Sequence, residues 1–149
     1  MRSKLLLAID QYEPGQAAVD FAIGLAAMSK SDVQVLHVRE LPTSLRVPPL
    51  ESVAEAQVLV EETVHRLHSA GIAAEGETCS EREPNVARRI VEEASSRRCS
   101  AIVLGSLRLR GLKSIMGHGT RERVLKLSSL PVIVTPPALG INEQSMARY

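Results

Sequence analysis

Short, unbroken apolar runs alternate along this chain with stretches long enough to hold a helix, and that alternation leaves few folds open. Lys4–Asp10 begins the series with Leu5-Leu6-Leu7-Ala8-Ile9. A run that is apolar at every position fits a parallel strand covered by helices on both faces. Asp32–Val38 is the second such run, roughly Ile72–Cys79 the third, Ala101–Gly105 the fourth and Pro131–Thr135 the fifth. The third is poorer in apolar residues, which predicts a sheet edge. Pro14 suits a first helical turn, and Ala18, Phe21, Ala22 and Leu25 mark the inward stripe of a helix ending near Lys30. A long helix is predicted from about Leu50 to Ala70, with Val53, Val60, Val64 and Leu67 facing in and Gly71 as its stop. Pro84 begins a third helix, with Val86, Ile90, Val91 and Ala94 inward and Arg97 and Arg98 at the end where cations are favoured. The order βαβαβαβαβ, with crossovers of this length, predicts an α/β domain built on one parallel sheet, its right-handed crossovers placing helices on both faces. Ligands of such sheets sit beyond the carboxyl ends of the strands, where strand order reverses. Asp10, Val38 and Gly105 end strands one, two and four.

Size and composition narrow the function classes. A chain of 149 residues is about one domain, large enough for a real core. The net charge of +1 gives no global field toward DNA or a membrane. The aromatic residues are Phe21, Tyr12 and Tyr149, too few for the stacking platforms of single-stranded nucleic-acid binding. Cys79 and Cys99 have no CxxC or metal-site spacing and read as reduced core or edge thiols. The first apolar run is too short for a signal peptide and ends at Asp10, and no segment reaches transmembrane length, so a cytoplasmic protein is expected. After Pro136-Pro137 the tail 137–149 has little apolar pattern and is expected to be mobile, or an arm, beyond a domain spanning 1–136.

The segment Ala101–Thr135 carries the chemistry. Four of the nine glycines lie between 105 and 119. Gly105-Ser106 closes strand four, a basic loop runs from Leu107 to Thr120, and a short helix is predicted over Arg121–Ser128. Glycines let backbone approach a ligand, and a helix start supplies free N–H groups and a positive dipole end, so the combination reads as a phosphate cradle. Charge is uneven in the same sense. Residues 106–126 hold six Lys/Arg against Glu122, whereas 51–77 hold six acids against Arg66. These are two solvated faces, or the basic one meets an anion.

At these residues the chain resembles the universal stress protein family. The resemblance covers about residues 2–136. It rests on Leu7-Ala8-Ile9-Asp10 before a helix, on Val35-Leu36-His37-Val38, on Ile102-Val103-Leu104-Gly105-Ser106, on Gly111-Leu112-Lys113, and on Arg123-Val124-Leu125 leading to Leu130-Pro131-Val132-Ile133-Val134. It implies a five-stranded parallel sheet in the order 3-2-1-4-5, a Rossmann-like fold of the adenine nucleotide alpha hydrolase kind. It also implies a homodimer joined through strand five, Pro131–Thr135, an otherwise exposed edge. Many members bind ATP through Gly, two residues, Gly, nine residues, then Gly with Ser or Thr. Gly105 matches the first position, and Arg108 stands at the second. Without a gap His118-Gly119 takes the last pair; with one inserted residue Gly119-Thr120 does. The signature is therefore altered, and members lacking it often hold no ATP.

The resemblance implies that Asp10 accepts a hydrogen bond from the adenine amino group and that Val38 meets the base through its backbone. As residues alone, Asp10 is a turn or capping Asp and Val38 ordinary core. Gly105, Ser106, Gly119 and Thr120 would line the phosphate path, Thr120 alternatively capping its helix. Arg108 fills the pocket or pairs with a phosphate. His118 caps the helix, binds phosphate or faces water; Tyr12 lies over a base or fills the site. His65 and His68 share one face of the long helix, read as solvated, and His37 reads as a satisfied core or crevice residue. The expected function is a dimeric regulatory module holding ATP or another adenine nucleotide, cyclic AMP included. The alternative is an interaction protein with a collapsed site, working through its dimer and the loop Leu41–Pro49. A slow ATPase is the weakest reading, because no GxxxxGK[ST] occurs and no Ser-His-Asp or Cys-His set is legible.

Overall fold

The computed structural model describes residues 2–10, 15–105 and 111–135, with 15–16 and 111–118 described by their main chain. The elements are β1 (Lys4–Ile9), α1 (Gly15–Ser29), β2 (Asp32–Leu41), α2 (Val53–Ser69), β3 (Ala74–Arg82), a 3₁₀ turn (Glu83–Asn85), α3 (Val86–Ser96), β4 (Ala101–Leu104), α4 (Gly111–Leu127) and β5 (Val132–Val134). The strands form one parallel sheet in the order β3-β2-β1-β4-β5, as expected.

Period-two alternation divides the core. Leu5, Leu7 and Ile9 of β1 face α1 and α2, meeting Ala18, Ala22, Val60 and Leu67. Leu6 faces the other way, toward α3 and α4, with Ala87, Ile90, Ile102 and Val124. Both faces of the central strands are thus dry, which is why they read as unbroken apolar runs.

Three helices end on the same device, a left-handed residue just past the helix with the following N–H bonded back five residues. Gly71 (φ 81°) ends α2, and Ile72 donates to the Leu67 carbonyl at 2.9 Å. Lys30 (φ 53°) ends α1, with Ser31 donating to Ala26 at 3.0 Å, and Arg98 (φ 56°) ends α3, with Cys99 donating to Ala94 at 2.9 Å. Only Gly71 has the residue type that pays no Cβ penalty there.

Several expected boundaries move. Strand β2 continues to Leu41, and β3 spans Ala74–Arg82 rather than 72–79, because the two pair in register from Val33–Ala74 to Leu41–Arg82. Helix α2 starts at Val53, not Leu50: Ser52 caps it, its Oγ accepting from the Glu55 N–H at 3.0 Å. Val53 therefore sits in the first turn and is 62% exposed, and Ala56, Val60, Thr63 and Leu67 form the buried stripe. In α1, Phe21 is 41% exposed, while the small residues Ala18, Ala22 and Ala26 face the sheet and allow close approach. Helix α4 starts at Gly111, ten residues before the expected start at Arg121. No proline interrupts 111–127, and a helix-interior glycine costs about 1 kcal/mol rather than forbidding the helix. No described helix is long and apolar enough to cross a membrane.

Candidate functional site

The strands do not end level. β1 stops at Ile9, which pairs with His37, and β4 stops at Leu104, which pairs with Ala8. β2 and β3 run on together to Leu41 and Arg82. Beyond His37 the side of β2 that faces β1 has no strand beside it. The overhang of β2 therefore flanks the ends of β1 and β4, the place where the ligand crevice of such a sheet lies. The overhang follows from sequence: Arg39 and Glu40 on β2 pair with Ser80 and Glu81 on β3, residues comfortable in a solvated ladder.

Asp10 stands half-buried at the end of β1 and is engaged with neighbouring groups. Val38, half-buried on the overhang, turns its side chain to the α3 face. Gly105 lies half-buried at the end of β4. Beside it, Thr135 donates to the Leu104 carbonyl through its N–H at 2.9 Å and its Oγ1 at 3.2 Å, clamping the ends of β4 and β5. Sequence reading assigned Thr135 only to a strand; the structure adds this clamp.

Asp10, Val38 and Gly105 are thus brought to one edge of the sheet. Gly119 and Thr120 are not at a helix start: they occupy the third turn of α4, half-buried. Eight residues separate Gly111 from Gly119, roughly 12 Å along a helix axis. Thr120 is accordingly no N-cap, and the free N–H groups of α4 belong to its first turn, at 111–114. Ser106, Arg108, Tyr12 and the tail 137–149 lie outside the described residues, as does the side chain of His118.

Acidic groups ring the mouth on the β2 side. Burial, followed by the negative charges of Glu83 and Asp10, pushes the Glu40 carboxyl above its ordinary range. Beneath it lies a pair that sequence reading missed. His37 is 2% exposed; its Nδ1 is 2.8 Å from the Ile9 carbonyl and its Nε2 is 2.8 Å from both carboxylate oxygens of Glu51. Arg39 Nε donates to the Glu51 carbonyl at 2.8 Å. The available signal was Ser52-x-x-Glu55, a helix-start pattern that places Glu51 outside α2 and free to turn inward.

A second recess, a cavity of about 570 Å³, lies between β3 and α3 and is lined by Glu77, Cys79, Arg89, Glu93 and Arg97 among others. Arg97 pairs with Glu77 and Glu93, and Arg89 with Glu81 and Glu93, so these cations are neutralised within the protein. Burial pushes the thiols of Cys79 and Cys99 up, which keeps them protonated and poorly nucleophilic. His65 and His68 are exposed, His68 Nε2 lying 2.9 Å from the Ala74 carbonyl. Among the described residues no three or more His, Cys, Asp or Glu are grouped to hold a metal ion. The crevice at the strand ends is the candidate site.

Comparison with known proteins agrees with this architecture. The family model of the universal stress proteins matches residues 1–136. The chain belongs to the universal stress protein family. Universal stress protein YxiE of Bacillus subtilis is 30% identical over 149 residues, covering 90% of this chain and 99% of YxiE. A universal stress protein family structure from Burkholderia pseudomallei superposes with a TM-score of 0.72 at 24% identity, covering 91% of this chain and 96% of that one. A universal stress protein from Archaeoglobus fulgidus, solved in complex with dAMP, gives 0.66 at 21% identity, covering 91% and 98%. At these identities the two structures establish the shared fold of the universal stress proteins.

Proposed function

We propose that this universal stress protein binds an adenine nucleotide in the crevice above β1 and β4 and acts as a regulatory module. The observation that carries the reading is the uneven strand ends, which put the Asp10 carboxylate beside the free side of the β2 overhang at the switch point of the sheet. An exocyclic amine needs an acceptor such as Asp10, and a base edge would meet the main chain at Val38. The phosphates would run toward Gly105, Ser106 and Arg108 and the first turn of α4, with Gly119 and Thr120 further along that helix. The dAMP complex of the A. fulgidus relative supports the ligand class. ATP is the expected form, with cyclic AMP as its competitor. The module is proposed to work in the cytoplasm as a homodimer joined at β5, whose Val132, Ile133 and Val134 are half-buried at a sheet edge.

Acid release of small molecules followed by mass spectrometry, with calorimetric titration of ATP, dAMP and cyclic AMP, tests this. Asp10→Ala should weaken binding roughly tenfold, the scale of one lost charge-assisted hydrogen bond. Arg108→Gly separates a phosphate ligand (weaker binding) from a plug (stronger binding). An empty protein with no titration signal in any of the three forms would overturn the nucleotide reading.

One observation favours a second reading, an interaction protein. Leu45 (99% exposed), Val47, Leu50 and Val53 stand exposed on and beside the connection between β2 and α2. Deleting these side chains would then abolish partner capture while nucleotide titrations stay silent.

A further inference from the structure

The buried pair beneath the crevice has a hydrogen-bond count that fixes its protonation. The ring of His37 is flanked by two acceptors, the Ile9 carbonyl at Nδ1 and the Glu51 carboxylate at Nε2, each at 2.8 Å. A carbonyl has no proton to give, so Nδ1 must carry one and donate it. A second proton must then lie between Nε2 and the carboxyl group, on either atom. Without it a nitrogen lone pair would face an anion where His37 is 2% and Glu51 7% exposed, a contact that burial makes costly.

The position of this pair gives the proton a consequence. Ile9 is the last residue of β1, immediately before Asp10. Glu51 ends the strap that leaves β2 at Leu41, and eight consecutive residues of that strap, 43–50, are exposed. The strap therefore has almost no core contact of its own. Glu51 is where it returns to the protein, through its carboxylate to His37 and its carbonyl to Arg39, whose Nη1 also reaches Ser80 Oγ at 3.2 Å.

We infer that His37 and Glu51 share one proton and act as a positioning pair, His37 fixing the end of β1 and hence Asp10, and Glu51 pinning the 42–52 strap beside the crevice. Neither residue touches the proposed ligand; they set where Asp10 and the β2 overhang stand. The ligand consequence rests on the adenine-nucleotide reading; the shared proton and the pinned strap do not.

Nitrogen and carbon NMR of the wild-type protein near neutral pH reads the proton directly. The expected spectrum has a protected Nδ1–H together with either an Nε2–H or a protonated Glu51 carboxyl. A bare Nδ1, or a neutral ring opposite an ionised Glu51, overturns the inference. Variants read the consequence. Glu51→Gln keeps a donor for Nε2, whereas Glu51→Leu is similar in size and offers none. Trypsin cleavage after Arg46, located by mass, should stay near the wild-type rate in Glu51→Gln and rise roughly tenfold in Glu51→Leu, the scale of losing one such bond. Equal cleavage in the two variants refutes the pinning. If Glu51→Leu does not fold, Glu51→Gln compared with His37→Leu and the wild-type spectrum decide the matter. Titration with dAMP completes the test: affinity should follow the order wild type, Glu51→Gln, Glu51→Leu. A wild type that binds no nucleotide removes the proposed function and leaves the spectroscopic and proteolytic outcomes intact.

Discussion

Gly76→Ala is the sharpest test of how α2 lies on the sheet. Gly76 sits in β3 opposite Val35, and a Cβ there would stand 2.5 Å from Val60 Cγ1, 2.8 Å from Val64 Cγ2 and 3.2 Å from Val35 Cβ. Its backbone is not in the left-handed region, so an alanine meets no conformational objection. Replacing glycine there should return about 0.5–1 kcal/mol of chain entropy, and burying a methyl about 0.8 kcal/mol. Against these stands overpacking, typically about 1–3 kcal/mol. The upper end applies, because Val60 is 2% exposed and valine in a helix has one strongly preferred rotamer, so α2 must shift as a body. The gains offset part of the clash, and a net loss of about 1–2 kcal/mol is expected. For a domain of this size that lowers Tm by roughly 2–8 °C. Urea unfolding should show a lower midpoint with an unchanged slope. The double variant with Val60→Ala should cost less than the sum of the singles by about 1 kcal/mol, since removing Cγ1 opens the space. A neutral or stabilised Gly76→Ala, or strict additivity, would refute the close seating of α2 on β3.

The remaining predictions concern backbone strain and charge. Lys30→Gly removes a Cβ from a left-handed position and should raise stability by up to about 1 kcal/mol in thermal melts. Arg98→Gly should gain a similar amount, because both changes also remove a cation from a helix end, an interaction worth about 0.3–1 kcal/mol that offsets part of the gain; a clear loss of stability in both variants would contradict this. The raised Glu40 carboxyl keeps its proton in the native state at pH values where the unfolded chain has lost it. Ionised Glu40 therefore costs stability at neutral pH, and the cost fades as pH falls through its raised native value and below the ordinary carboxylate range. Glu40→Gln should be stabilising at neutral pH by no more than about 0.5 kcal/mol, because the carboxyl is only partly shielded and solvent at the exposed side of Glu40 screens its charge, with the gain vanishing in acid. A gain that persists in acid would mean charge is not its source.

Much of the fold was legible because its strands are buried on both faces, and that burial is written as consecutive apolar residues. The strand order came from the family resemblance, since periodicity says nothing about which strand lies beside which. Helix α1 shows where patterning fails: Ala18, Val19, Phe21, Ala22, Leu25 and Ala26 leave it apolar nearly all round, so the stripe was misplaced onto Phe21. Close seating selected the alanines instead. The start of α4 was misjudged because Gly117 and Gly119 were weighed as loop formers, although the run 111–127 contains nothing that forbids a helix. At the site, Asp10, Val38 and Gly105 were found because strand ends are visible in sequence. The His37–Glu51 pair was not, because a contact across fourteen residues leaves no periodic trace.

The two edges of the sheet are chemically unlike. β3 carries Glu75, Glu77 and Glu81 along its length, whereas β5 is a three-residue valine-isoleucine-valine strand. Glu77 and Glu81 are paired with Arg97 and Arg89, so the β3 edge is charged rather than apolar, and charged side chains along an edge discourage strand pairing where an apolar edge permits it. Two copies joined at β5, as proposed, would turn these charged β3 edges outward. In the proposed dimer the free borders would both be β3 edges, whose charged side chains make a poor template for a further strand.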